Sequence, residues 1–92
     1  MHRLFVVENV FEIKQRGVVV SGKLDDPQGA RFHIGDTVEI RRRDGTVVET
    51  TISGIPIGLA KVGMGEVLLR GVSKADIGPD DEIWLGGDPD GT

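Results

Sequence analysis

The chain has 92 residues, no cysteine and 14 glycines, with 15 acidic against 11 basic side chains for a formal charge of −4. This leaves room for one small domain around one core, without a disulfide framework or thiolate metal site to support it. It also disfavours general binding of a nucleic-acid backbone, because each retained phosphate contact needs a cation.

Three Phe, one Trp and no Tyr make the chain poor in rings, so Val, Ile and Leu must supply the core, as strands in a small barrel use them. The N-terminal apolar run Leu4-Phe5-Val6-Val7 is too short for a signal peptide, and no segment approaches membrane-spanning length. A soluble, cytoplasmic protein is expected.

From the N-terminus, Leu4 to Ile13 reads as one long strand or two short ones. The apolar residues on either side of Glu8-Asn9 fall on different alternation phases, as they do at a β-bulge. Gly17 turns the chain into a second strand that ends at Leu24, with Gly22 as a place to bend. Asp25-Asp26-Pro27-Gln28-Gly29 has turn composition.

Thr37 to Arg42 alternates so that Val38 and Ile40 face a core, and Asp44-Gly45 follows at once, which predicts an antiparallel hairpin with Thr46–Ile52. That second arm runs on to Ile55 and stops at Pro56. Ile57 to Gly65 reads as a glycine-containing apolar loop, and Glu66 to Val72 as a strand whose continuous apolar run suggests burial on both faces. Ser73-Lys74-Ala75-Asp76 has capping-box spacing for one helical turn, and Glu82 to Leu85 is the last strand. Residues 1–86 therefore form a single all-β domain, and 87–92, rich in Gly, Asp and Pro, a flexible tail.

Five blocks in order carry a family resemblance: Val7-Glu8-Asn9-Val10-Phe11-Glu12-Ile13; Arg16-Gly17-Val18-Val19-Val20-Ser21-Gly22; Ile34-Gly35-Asp36-Thr37-Val38-Glu39-Ile40; Ser53-Gly54-Ile55; and Leu68-Leu69-Arg70-Gly71-Val72 with Asp76-Ile77. The chain resembles the second domain of elongation factor Tu and related translational GTPases, as a stand-alone barrel. The resemblance implies a six-stranded antiparallel Greek-key β-barrel. It also implies that nucleotide hydrolysis belongs to a separate domain, and no Gly-x-x-x-x-Gly-Lys-[Ser/Thr] phosphate loop occurs here. By the same resemblance Glu8, Asn9, Phe11 and Ser21 match first-strand and second-strand positions that hold the 3′ end of aminoacyl-tRNA. The loop after Gly54 is shorter than the family's and lacks its Glu and Arg.

Each candidate has two readings. Glu8 and Asn9 are ligands for a ribose or base edge, or exposed residues at a bulge; Phe11 is a stacking platform or core. Arg41, Arg42 and Arg43 form the dense cationic cluster, suited to phosphate or an acidic partner, or else a charged edge that discourages aggregation. Arg16 and Arg70 are placed to pair with carboxylates around the rim. Leu59 and Val62 lie in the apolar loop, which is a contact surface or a plug.

His2 and His33 lack further metal ligands or an oriented partner at suitable positions, and Asp25-Asp26 and Asp80-Asp81 read as turn residues. No catalytic set and no cofactor are expected. The expected function is a non-catalytic protein-interaction module that contacts a protein partner or a second copy of itself. The alternative is binding of tRNA or ribosomal RNA.

Overall fold

Between His2 and Ile13 the chain breaks into two strands, and the break sets the topology. The structure, a computed structural model, describes residues 2–26, 31–55 and 63–86. Seven strands follow in order: β1 (His2–Val6), β2 (Asn9–Ile13), β3 (Gly17–Lys23), β4 (Thr37–Arg41), β5 (Val47–Gly54), β6 (Met64–Leu69) and β7 (Glu82–Leu85). All pair antiparallel in one sheet, ordered β1-β7-β4-β5-β6-β3-β2. The helical content among the described residues is a single 3-10 turn at Lys74–Asp76. None of these residues belongs to a helix long and apolar enough to cross a membrane.

The all-β expectation holds, and two of its details are corrected. The described residues form seven strands rather than six, and their sheet is not closed into a barrel, because its end strands β1 and β2 do not pair with each other. Both corrections arise at Val7-Glu8. The Val7 N–H donates to the Asp81 carbonyl at 2.8 Å and its carbonyl accepts from Asp80 at 2.9 Å, so this side of the break belongs with β7. One residue later the Glu8 N–H donates to the Ser21 carbonyl at 2.8 Å, on the β3 side. A single antiparallel bridge, Phe5 to Leu24, and the Asp25 N–H donated to the Leu4 carbonyl at 2.9 Å tie β1 to the end of β3.

Alternation within the strands builds the core. Val18 and Val20, Val38 and Ile40, and Val67 and Leu69 are fully buried on one face, joined by Leu4, Phe5, Val7, Ile52, Ile77 and Ile83. Leu4 and Phe5 are neighbours and still both buried, because the β1–β7 register shifts between Arg3 and Phe5. The expectation that the Val67-Leu68-Leu69 run is buried on both sides is met only in part, since Leu68 faces away from the core and is half-buried.

The two hairpins form where their turn residues predict. Between β2 and β3 the Arg16 N–H donates to the Ile13 carbonyl at 2.9 Å, with positive φ at Gln15 and Gly17. Between β4 and β5 the Gly45 N–H closes a turn on the Arg42 carbonyl at 2.9 Å, and the Arg42 N–H donates to Thr46 at 2.9 Å. With Gly45 at φ 93°, this is a three-residue loop ending in a left-handed glycine. The Asp44 side chain clamps it by accepting from the Thr46 N–H at 2.9 Å and the Thr46 hydroxyl at 2.6 Å.

Gly22 is fixed by packing rather than by φ. A Cβ there would sit 2.0 Å from the Val6 carbonyl oxygen and 2.9 Å from Phe5 Cδ1. The absent side chain is what lets β1 lie against β3. Gly22→Ala is expected to destabilise the fold by about 3 kcal/mol, read as a lower urea midpoint, because backbone rather than a flexible side chain must move. A midpoint equal to wild type would show that β1 does not depend on this approach.

Candidate functional site

The outward side of β2, β3 and β6 gathers most of the residues that the sequence singles out on the first two strands. With Val18, Val20, Val67 and Leu69 facing the core, Asn9, Phe11 and Ile13 on β2, Val19 and Ser21 on β3, and Glu66 and Leu68 on β6 face away from it. Register sets two rows side by side. Asn9 lies opposite Ser21 and Ser21 opposite Glu66; Phe11 lies opposite Val19 and Val19 opposite Leu68. A polar row thus runs beside an apolar one.

Phe11 is 57% exposed and Ile13 40%, so the core reading of Phe11 is overturned. Val19 is buried although it stands outside the core cluster, flanked on its own face by Phe11 and Leu68. Ser21 is likewise buried in the polar row. Glu8, exposed at the strand break, accepts from the Lys23 N–H at 3.4 Å, which keeps its carboxylate beside this face. The structure therefore brings Glu8, Asn9, Phe11 and Ser21 together.

Arg41, Arg42 and Arg43 do not converge on a common point. Arg41 faces outward across β7, with its guanidinium 3.9 Å from the Trp84 ring centroid and its Nε 3.2 Å from Glu39 Oε1. The contact belongs to a polar string over β1, β7 and β4. The Trp84 indole N–H donates to Glu82 at 2.8 Å, and Arg3 bridges Glu82 at 3.3 Å and Asp25 at 2.6 Å. Stacking on an indole contributes about 0.5–1 kcal/mol at such a partly exposed site and neutralises little of the charge.

Arg42 and Arg43 instead line a shallow cleft with Asp44, Ala75, Asp76, Ile77, Gly78 and Asp81. Arg43 lies 3.7 Å from Asp80. Asp80-Asp81, read from the sequence as turn residues, differ sharply in surroundings. Asp81 is 6% exposed and accepts from the Arg43 N–H at 3.1 Å and the Gly78 N–H at 2.9 Å. It pins the β4–β5 hairpin to the turn that leads into β7, which makes it structural.

Two other carboxylates have shifted acidities. Hydrogen bonds from the Thr46 hydroxyl and N–H hold the Asp44 carboxyl below the usual carboxylate range. The Ser73 N–H and hydroxyl, at 2.9 and 3.1 Å, do the same for Asp76 in the capping arrangement that the Ser-x-x-Asp spacing predicts. His33 lies exposed in the turn before β4, where its N–H donates to Asp36 at 2.7 Å. Among the described residues no group of three His, Asp or Glu side chains is arranged to hold a metal ion. Leu59 and Val62, with the rest of 56–62, lie outside the described residues.

Arg16 and Arg70, expected to pair with rim carboxylates, make no ion pair with another described residue. Sequence reasoning also missed Val19 and Leu68 as parts of the outward apolar row. Their signal was the unbroken apolar runs Val18-Val19-Val20 and Val67-Leu68-Leu69, in which the middle residue must face away from the core. No family model matches this chain.

Two outcomes are expected from these contacts. Asp81→Ala should cost about 2–3 kcal/mol in urea unfolding, because two backbone donors lose a buried acceptor. A carboxyl held low in the folded state contributes stability that is present above its unfolded value near pH 4 and is lost as pH falls through the folded value. Asp44→Asn should therefore show a smaller fall in urea midpoint between about pH 4 and 2 than wild type does, and a parallel fall would show that the Thr46 clamp adds nothing.

Proposed function

We propose that this chain is a non-catalytic protein-interaction module, and that its contact surface is the outward side of β2, β3 and β6. The observation that carries the reading is the pair Phe11 and Ile13, large apolar side chains 57% and 40% exposed on a terminal strand of the sheet. Scattered apolar residues on a surface need no explanation. Here they continue into Val19 and Leu68 to form one stripe across three strands.

The proposal extends to kinship. β1 and β2 are consecutive in the chain, so the two ends of the strand order are one stretch of chain joined at Val7-Glu8. The interruption falls at Glu8, where the five-block resemblance has its first landmark. We take the chain to be related in this sense to the Greek-key second-domain barrel of elongation factor Tu and its relatives. Glu8, Asn9, Phe11 and Ser21 then occupy the surface that those factors use for contact.

Binding of tRNA or ribosomal RNA is the competing reading. It has less support, because Arg41 is engaged with Trp84 and Glu39, and Arg43 lies beside Asp80. The two readings separate in one comparison of the wild-type chain with Phe11→Ser and Ile13→Ser in pull-downs from native extract, each at two salt concentrations with and without nuclease. Recovery of a nuclease-resistant protein, lost about tenfold in either variant, is expected from an exposed apolar anchor. Equal recovery by wild type and both variants would overturn the reading. Nuclease-sensitive recovery that falls steeply with salt would replace it with RNA binding.

A further inference from the structure

The outward apolar stripe is flanked on one side by a group of cations. Beyond Ile13, the turn between β2 and β3 carries Lys14 and Arg16, both exposed. Gly17 packs directly against the end of β6, where a Cβ on it would lie 2.2 Å from the Leu69 carbonyl oxygen and 3.5 Å from the Arg70 Cα. Arg70 is therefore held beside the same turn. Lys74, also exposed, lies on the 3-10 turn that packs next to β2.

None of these four cations makes an ion pair with another described residue, whereas Arg3, Arg41 and Arg43 all do. The carboxylate nearest in sequence to Lys74 is Asp76, and it accepts from the Ser73 N–H and hydroxyl. Glu12 on β2 is the acid closest along the chain to Lys14 and Arg16. In a chain of formal charge −4, this corner carries a local excess of positive charge.

On the other side of the stripe the charges are mixed, with Glu66 in the polar row, Glu8 at the strand break and the exposed Lys23 next to Glu8. Past Phe11, Val19, Leu68 and Ile13 the face thus goes from mixed charge to a cationic side.

From this layout we infer that the partner seated on the face is an acidic protein segment with an apolar anchor, its carboxylates toward Lys14, Arg16 and Arg70. The inference rests on the interaction-module reading and adds the partner's chemistry to it. The apolar side chain replaces water over Phe11 and Ile13, while the carboxylates meet cations whose charge no described residue neutralises. Opposite charges across an interface act mainly on orientation and on encounter rate. Cations gathered on one side of the stripe give the segment one preferred direction. A nucleic acid fits less well, because Phe11 is the only ring in a stripe otherwise aliphatic.

The test is a selection of short random peptides displayed on phage against the immobilised full chain at low salt. Parallel selections use Phe11→Ser and a double variant, Arg16→Glu with Arg70→Glu, and circular dichroism melts confirm that each variant is folded. The wild-type pool is expected to enrich Asp and Glu together with Leu, Ile or Phe. Capture of that pool should fall about tenfold on either variant, as for loss of a central anchor or of its charge complement.

A pool enriched in apolar residues alone, lost on Phe11→Ser and unchanged on the double variant, would overturn the acidic-partner inference and leave the contact surface standing. A basic pool would overturn it in the same way. A pool captured equally by all three proteins, or no enrichment above a blank surface, would overturn both. Displacement of the pool by oligouridylate at concentrations well below those of a competing acidic peptide would assign the face to RNA and overturn the inference.

Discussion

The structure depends on a change of partner at Val7-Glu8. A strand has two hydrogen-bonding edges, and in the first segment of this chain the main ladder changes from one side to the other. Up to Val7 the backbone bonds chiefly toward β7 and the turn before it, touching the end of β3 only through the Phe5–Leu24 bridge and the Leu4 carbonyl; from Glu8 onward it bonds toward β3. Because consecutive residues serve opposite ends of the strand order, a sheet of short strands is bent around one core although β1 and β2 never pair. Gly22 makes the bend possible by leaving room for the Val6 carbonyl. Asp81 secures it by fastening the turn that receives Val7 to the β4–β5 hairpin.

The same change of partner produces the candidate surface. Once the chain leaves β7, the second half of the strand is a terminal strand of the sheet, and its outward side chains have a neighbouring strand on one side only. Phe11 and Ile13 are exposed for that reason, not because the segment is polar or loop-like. Val19 and Leu68, one and two strands further in, carry the same kind of side chain on the same face and are covered to a greater degree. Within this row the residue on the terminal strand is the most exposed.

Charge is distributed unevenly in a way that composition hides. On the side formed by β1, β7 and β4, acids and bases alternate closely enough to satisfy one another, from Asp25 through Arg3, Glu82 and Trp84 to Arg41 and Glu39. Such exposed pairs contribute little stability individually, but they remove Arg41 from the pool of cations facing outward unengaged. The cluster Arg41-Arg42-Arg43, the densest in the sequence, is dispersed by strand alternation and by the turn that follows. Arg70, distant in sequence from Lys14 and Arg16, is brought beside their turn by the β3–β6 pairing.

Much of this molecule was legible in the sequence because the signals were local. Strand alternation marked Val38 and Ile40 as core, Asp44-Gly45 and Gly17 located the hairpins, and the Ser73–Asp76 spacing forecast its own cap. Even the interruption near Glu8-Asn9 showed as a change of phase. Pairing decided the rest. Whether Phe11 lay inside or outside depended on which neighbour β2 kept; whether Asp81 was a surface acid or a buried clasp depended on a hairpin 38 residues away in the chain. Which cations stood together depended on register between β3 and β6. Local propensity acts through a residue's own backbone and near neighbours, whereas burial and charge clustering are set by contacts distant in sequence, and those exist only once the sheet has formed.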